Sequence, residues 1–590
     1  MASTSACETA TPSEATTTQH THAQLIRHAM DKLVDELTKS QPIYGPAFDL
    51  KTDQSDIFHE SKATVENTLR LQESLLVQLS AIDESALTPA ELDEFNALVG
   101  AMESDIVSAS TYQLEIPCTH MFGAFVGLDQ ALKNYHAINS AEDAENLKKR
   151  LLKFPERFAE VVERFCEGIA KGITLPAESI NLMIGRVSSS VVEDPADSSF
   201  HKLFKDKIVA VGLPEDFLLD TIRESVVPAF KAVKDFLEAD PHFITHTLGA
   251  SRCANAGIFG LPDYERVYND LIFVHTSARY TADELHQKGL DEVARIRKRM
   301  EAIKDKVFDG TLKEFFVALK DKERFPQLFF ENEDAIVPHY NALIERIDKR
   351  MPQFFNKFPK FKCNVEAVPK EAEASAPGAY YEAGTADKAG TFHPNRLLAK
   401  DAPNHTAMAL VLHEAIPGHH HQVSLSLEMP VSHVYMKMIF NTAFSEGWGL
   451  YAEYLGEEMG MYETDFDLFG RLEAEMFRAL RLVVDTGLHT KNWTIEQCVA
   501  YMQDNLSMSD DKVLSEVKRY ATDPGQALAY KVGEIKIVEL RRKAEDALGG
   551  KFDIRAFHDV VLDHGSVRLD VLEKNVDEWI AGVLAQTAAA

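Results

Sequence analysis

The chain has 590 residues, of which 45% are hydrophobic and 26% charged, a balance that excludes disordered, collagen-like and low-complexity classes. Its 92 acidic and 62 basic side chains leave a net charge of −30, which argues against nucleic-acid binding and against adhesion to anionic membranes, since both need a basic footprint. No run reaches about 18 consecutive apolar residues, so no transmembrane helix is expected.

Residues 1–20 are rich in Ser, Thr and Ala. They lack the basic start and apolar core of a secretory signal and the arginines of a mitochondrial presequence, so they read as a disordered tail on a cytoplasmic protein. From residue 21 to about 360 apolar residues recur at three- and four-residue steps, as in 62–82 and 143–172, and a helical N-terminal region is expected. Breaks are expected around Pro176 and Pro262, and Thr281-Ala282-Asp283-Glu284 opens a helix with a capping-box pattern. Composition shifts at 360–395, where Pro369, Pro377, several glycines and the pair Tyr380-Tyr381 predict loop with one or two short strands. A small β element is therefore expected near 378–396, at the start of a second helical region, 361–590, that carries the chemistry. Helices are predicted at 402–415, 431–460, 466–487, 494–505, 511–520, 526–549 and 554–585. The fold class is mainly α. Six scattered cysteines (Cys7, Cys118, Cys166, Cys253, Cys363, Cys498) show no C-x-x-C spacing, which excludes a zinc ribbon and argues against a disulfide scaffold.

The most informative segment is Leu412-His413-Glu414-Ala415-Ile416-Pro417-Gly418-His419-His420-His421. A His-Glu pair ending an apolar helix is how zinc hydrolases begin: the imidazole binds the metal and the next carboxylate takes a proton from the water it activates. The second histidine normally falls four residues on, but Pro417 stands there. On an unbroken helix His419 would lie about 120° from His413, and His420 about two turns further along. Pro417 and Gly418 predict a bulge or kink, and a two-residue excursion would bring His419 into place. His419 is favoured and His420 competes; His421 is expected at solvent or behind the ligands. The third ligand expected is Glu446, early in an apolar helix, with Glu453 seven residues on to orient a histidine. Asp485, His489 and Tyr530 are polar positions in apolar helices, and Tyr530 or His489 could donate to an oxyanion. Arg481, Arg519 or Arg542 could hold a substrate carboxylate. His558 and His564 read as structural or exposed.

The blocks HEAIPGHHHQ, SEGWGLYAEYLG, RLVVDTGLHTKNWTIEQCVAYM and DPGQALAYKVGEIKIVELR, in that order, resemble the DUF 885 family. Fainter matches, GLPDYERVYNDLIFVHTSARYTADELHQKGLDEVARI and YYEAGTADKAGTFHPN, extend the resemblance from roughly 190 to 590. The resemblance implies a mainly helical zinc metallopeptidase with a gluzincin-like core. Carried over by position, it implies His413, His419 or His420, and Glu446 as ligands and Glu414 as general base. The sequence departs from the family at His393-Pro394 and at Arg568, positions outside the metal set.

The expected function is a hydrolase using one catalytic Zn2+, most simply a metallopeptidase cleaving short peptides, with Glu414 and Tyr530 as catalytic residues and His413, His419 and Glu446 as ligands. An amidase or deacylase acting on a non-peptide amide would use the same groups, and a non-catalytic protein with a structural metal is the third reading. The segment GTFHPN, if extended, could pair with a peptide backbone as an added strand.

Overall fold

The computed structural model describes residues 12–239, 256–370, 373, 376, 378–385, 388–398 and 403–588. Of the expected tail, residues 1–11 lie outside this set, as do Cys7, Cys253 and Pro377; from Pro12 the chain is helical through Ser40. Helices dominate, and the caps written in the sequence explain many of their starts. Thr281 accepts from the backbone of Glu284, whose side chain bonds back, and the helix Ala282–Val307 (α1) follows. The predicted helix 143–172 is two helices, Ala141–Leu152 and Phe154–Ala170, because Pro155 has no N–H to continue the first ladder but fits the opening turn of the second.

The front of the chain, from Ile43 to Leu237, closes over its own core, in which Phe154, Phe158, Phe200 and Phe230 pack edge-on or tilted. Two other cores draw on residues before and after position 360 together, and the backbone of one of them is the contact of α1 with the long helix Asp465–Thr490.

Three short strands, Asn364–Val365 (β1), Ala379–Glu382 (β2) and Thr391–Pro394 (β3), form one sheet in the order β1-β3-β2, with β1 parallel and β2 antiparallel to β3. The small β element thus lies where expected, with β1 added in front of it. The GTFHPN segment does contain a strand, but β3 is central and both its edges are taken. An added peptide strand could pair only with β1 or β2, which corrects the expectation for GTFHPN.

Behind the sheet come Ala407–Glu414 (α2), His419–Glu428 (α3), Thr442–Glu458 (α4), Asp465–Thr490 (α5), Asp510–Thr522 (α6) and Ala529–Leu548 (α7). Helix α4 starts later than the predicted 431 because Asn441 caps it, accepting from the N–H of Phe444 at 2.9 Å. The predicted 554–585 helix is split into Ile554–Leu562 and Leu569–Ala588, with Gly565 at φ 71° in the break. Helices α4 and α7 touch backbone to backbone: a Cβ on Gly447 would lie 2.5 Å from Gly533 Cα, and one on Gly533 would lie 1.9 Å from Ala443 O. In the interior, Lys531 of α7 reaches Glu475 of α5 at 2.7 Å, Glu292 of α1 at 2.9 Å and Glu534 at 2.6 Å, which ties three helices in register. No helix among the described residues is long and apolar enough to cross a membrane.

Candidate metal centre

Helix α2 is short and apolar: Met408, Val411 and Leu412 enter the core, and His413, 2% exposed, sits in its last turn. The helix stops at Glu414. Ala415 leaves helical geometry at φ −101°, ψ −104°, the Ile416–Pro417 bond is cis, and Gly418 turns at ψ −131° before α3 begins with His419. The excursion expected from Pro-Gly is therefore present. The Trp448 indole donates to Pro417 O at 2.8 Å and pins the excursion to α4.

The break brings His419 beside His413, their rings 4.7 Å apart and nearly perpendicular. Glu446 completes the group: its Oε2 is 3.3 Å from His413 Nε2 and 3.4 Å from His419 Nε2, and one ligand atom from each of the three residues lies within 4.8 Å of the others. Zinc bonds of about 2.0–2.1 Å put tetrahedral ligands roughly 3.3–3.4 Å apart, so both imidazole–carboxylate spacings suit one ion. His413 Nδ1 donates to Glu453 Oε1 at 2.9 Å, which leaves Nε2, facing Glu446, as the position for a second proton or a metal ion. Glu453 in turn pairs with Arg478 at 3.3 Å. Gly449 makes room for the ring, since a Cβ there would come 2.7 Å from His413 Cε1.

Charge in this group is mutually dependent. Burial opposes a proton on His413, yet the bonds to Glu446 and Glu453 overcome it and lift the pKa to about 9. Burial would raise the Glu446 carboxyl, but His419 and His413 together hold it well below the ordinary range. In this state a proton does what a cation at the same point would do, neutralising a buried carboxylate between two imidazoles. The donor set of two imidazoles and one carboxylate therefore fits a zinc-like ion.

Glu414 is half-buried and pairs with no side chain among the described residues. It is close enough to Cys363, just before β1, that its charge adds to burial in pushing that thiol up to about 12. Tyr530, in the first turn of α7, lies one turn before Gly533, whose contact with Gly447 brings that part of α7 against the turn of α4 that carries Glu446. Burial raises its pKa and the Glu446 charge raises it further, so the hydroxyl is a neutral donor. The Arg481 guanidinium lies 4.3 Å over its ring.

The other candidates are not brought to this point. His420 turns to the sheet, with Nδ1 3.2 Å from Tyr381 Oη and Nε2 3.1 Å from Phe361 O. His421 is not at solvent: it is 1% exposed and packs on Phe355, and neither ring nitrogen has a hydrogen-bond partner. The backbone explains the error, because α3 runs along the core and its first turn is buried almost all round. His489 accepts from Ile258 N at 3.1 Å and donates to Tyr520 O at 3.0 Å, a structural role. Asp485 accepts from Tyr268 and from Gly525 N, and burial pushes its carboxyl up to about 7. Arg519 pairs with Glu516 and Gln526, and Arg542 is exposed on α7. His558 is buried between Phe354 O and Tyr451 Oη, and His564 pairs with Asp93. The sequence reading missed Arg478, Gly449 and Trp448. The two glycines flanking Trp448 inside a helix were the available signal for close packing at that turn.

A profile described as "Bacterial protein of unknown function (DUF885)" matches residues 47–576, further toward the N-terminus than the motifs alone suggested. No curated protein matches the chain. Among solved structures, "the putative lipoprotein from Colwellia psychrerythraea" is similar over 96% of this chain and 99% of its own, with 27% identity and a TM-score of 0.86. A second, "a putative lipoprotein of unknown function from Shewanella oneidensis", covers 94% of this chain and 99% of its own at 18% identity and a TM-score of 0.69, and shares the fold.

Proposed function

Because this chain belongs to the DUF885 family and draws two imidazoles and a carboxylate to one point, we propose that it is a zinc-dependent hydrolase, acting as a metallopeptidase on short peptides. The observation that carries the reading is the His413–His419–Glu446 cluster with Glu414 one residue from its first ligand. A zinc ion held there would supply Lewis acidity, lowering the pKa of a water and polarising an amide carbonyl. Glu414, with no competing partner, takes the proton of the attacking water and returns it to the leaving amine. Tyr530 donates to the oxygen on which charge develops. Glu453 holds His413 in one tautomer, and Arg478 balances the charge of Glu453.

Three ligands rather than four favour catalysis over a structural ion, since a catalytic site keeps a position for water. His420, the residue that could have closed the set, is committed to Tyr381 and Phe361. The proposed compartment is the cytoplasm, because Cys118, Cys363 and Cys498 form no disulfide. The descriptions of the two similar structures point to the cell envelope for those proteins. Fractionation of the source cells distinguishes the two locations.

The test is cleavage of a mixed peptide library by the purified protein, before and after complete metal removal, alongside Glu414→Gln. The expected result is cleavage that stops without metal and returns with zinc. Glu414→Gln should keep its metal and lose roughly 10²–10⁴-fold in turnover, the size of a general-base contribution. Full activity in the metal-free protein or in Glu414→Gln contradicts the mechanism.

A further inference from the structure

Arg481 is buried, 5% exposed, yet one of its donors is unspent. Its Nε donates to Tyr520 Oη at 3.0 Å and its Nη2 to Glu516 Oε2 at 3.2 Å, while Nη1 has no partner. A buried donor left unmade costs about 1–3 kcal/mol, more for a charged group, so such an atom in an otherwise bonded guanidinium calls for a partner. The neighbouring carboxylate does not meet the need. Glu516 Oε2 is already shared among Arg481, Arg519 at 3.0 Å and the Tyr520 hydroxyl at 2.9 Å, so it has no capacity left for Arg481 Nη1.

Position gives the unpaired donor its meaning. The Arg481 plane is clamped 4.3 Å from the rings of both Phe477 and Tyr530, which fixes the direction of its fork. Tyr530 lies one turn before Gly533, whose contact with Gly447 sets that part of α7 against the turn of α4 that carries Glu446, so the stacked guanidinium lies on the side of α7 that approaches the metal cluster.

We propose that Arg481 is the carboxylate-recognition residue of this site, and that the substrates carry a free carboxylate on the amine side of the scissile amide, as the last residue of a peptide does. The inference rests on the hydrolase reading above and narrows it to removal of C-terminal residues. Nη1 supplies the hydrogen bond, the guanidinium charge supplies the attraction, and Tyr530 stands between the recognised carboxylate and the reacting carbonyl. A peptide amide offers Nη1 only a neutral carbonyl oxygen in place of a carboxylate and is bound more weakly. An acidic side chain next to the cut is the other source of the same chemistry.

The binding test is calorimetric titration of the protein as isolated with N-acetylleucine and with N-acetylleucine amide. The acid should bind at least tenfold more tightly, Arg481→Gln should abolish the difference, and Arg481→Lys should keep only part of it, because an ammonium lacks the planar fork. Equal binding of acid and amide by the wild type overturns the proposal. So does a preference that survives intact in either variant; circular dichroism establishes that each is folded, and the wild-type comparison stands if neither is. The cleavage test compares N-acetyl-Phe-Leu, its amide, and the amidated N-acetyl-Phe-Asp. The first should exceed the second at least tenfold in kcat/KM; if the third equals the first, the anion recognised is a side chain and the C-terminal assignment is overturned. Tight acid binding without any cleavage upholds the carboxylate subsite and removes the hydrolase reading. Equal cleavage of acid and amide removes the subsite and leaves the hydrolase reading in place.

Discussion

At His413 one ring nitrogen is committed to Glu453 and the other faces Glu446, so the orientation of the imidazole is set before any ion arrives. Glu453→Gln keeps the shape but removes the charge that holds the proton on Nδ1. Zinc affinity, measured by competition with a chelating dye, should fall about 10–100-fold while Glu453→Gln remains folded, and unchanged affinity would remove Glu453 from the account. His421 gives a prediction of stability instead. Burial, assisted by the neighbouring His420 and His558, presses its pKa down to about 3, against about 6.5 for an unfolded chain. Between those values the unfolded state binds the extra proton, so the contribution of His421 costs nothing above pH 6.5 and destabilises the fold as pH drops below it. Going from pH 7 to pH 5, His421→Phe should lose about 2 kcal/mol less stability in urea unfolding than the wild type. Equal losses would mean that His421 is solvated in the folded protein. At this scale the meeting of His413 with Glu446 was legible, because a metal-ligand pattern demands one residue type at a near-fixed place. The burial of His421 was not, because three adjacent histidines look alike until the direction of α3 is known.

At the scale of elements, a break and a crossing build the site. The excursion between α2 and α3 changes the phase of the helix so that His419 replaces the residue at Pro417, and the Gly447–Gly533 contact sets the part of α7 that carries Tyr530 against the turn of α4 that carries Glu446. Gly533→Ala would force a Cβ to 1.9 Å from Ala443 O, so the two helices must part. The expected result is a stability loss of about 3 kcal/mol together with weakened turnover and near-normal metal content, since the ligands lie on α2, α3 and α4. Urea unfolding and kinetics on the same preparation check this; a fully active, fully stable Gly533→Ala contradicts the crossing. The break was legible, because proline lacks a donor and glycine accepts unusual dihedrals. The crossing was not: Gly447 and Gly533 are 86 positions apart, and each alone reads only as a weak spot in a helix. The same limit hid β1, whose two residues form a strand only because β3 is beside them.

For the whole molecule, composition and periodicity announced a mainly helical protein with a small β element, and that much follows from local chemistry. How the helices share cores does not, since α1, α5 and α7 are joined by Lys531, Glu292 and Glu475 across 240 residues of chain. This long-range assembly presents three ligands from three helices to one point, and the account stands or falls on that convergence. The direct measurement is elemental analysis of the purified wild type and of His419→Ala and His420→Ala, each as metal bound per chain. The account predicts close to one zinc-like ion in the wild type and in His420→Ala, and close to none in His419→Ala. A wild type without bound metal after zinc addition, or a His419→Ala that binds as much as the wild type, would contradict it.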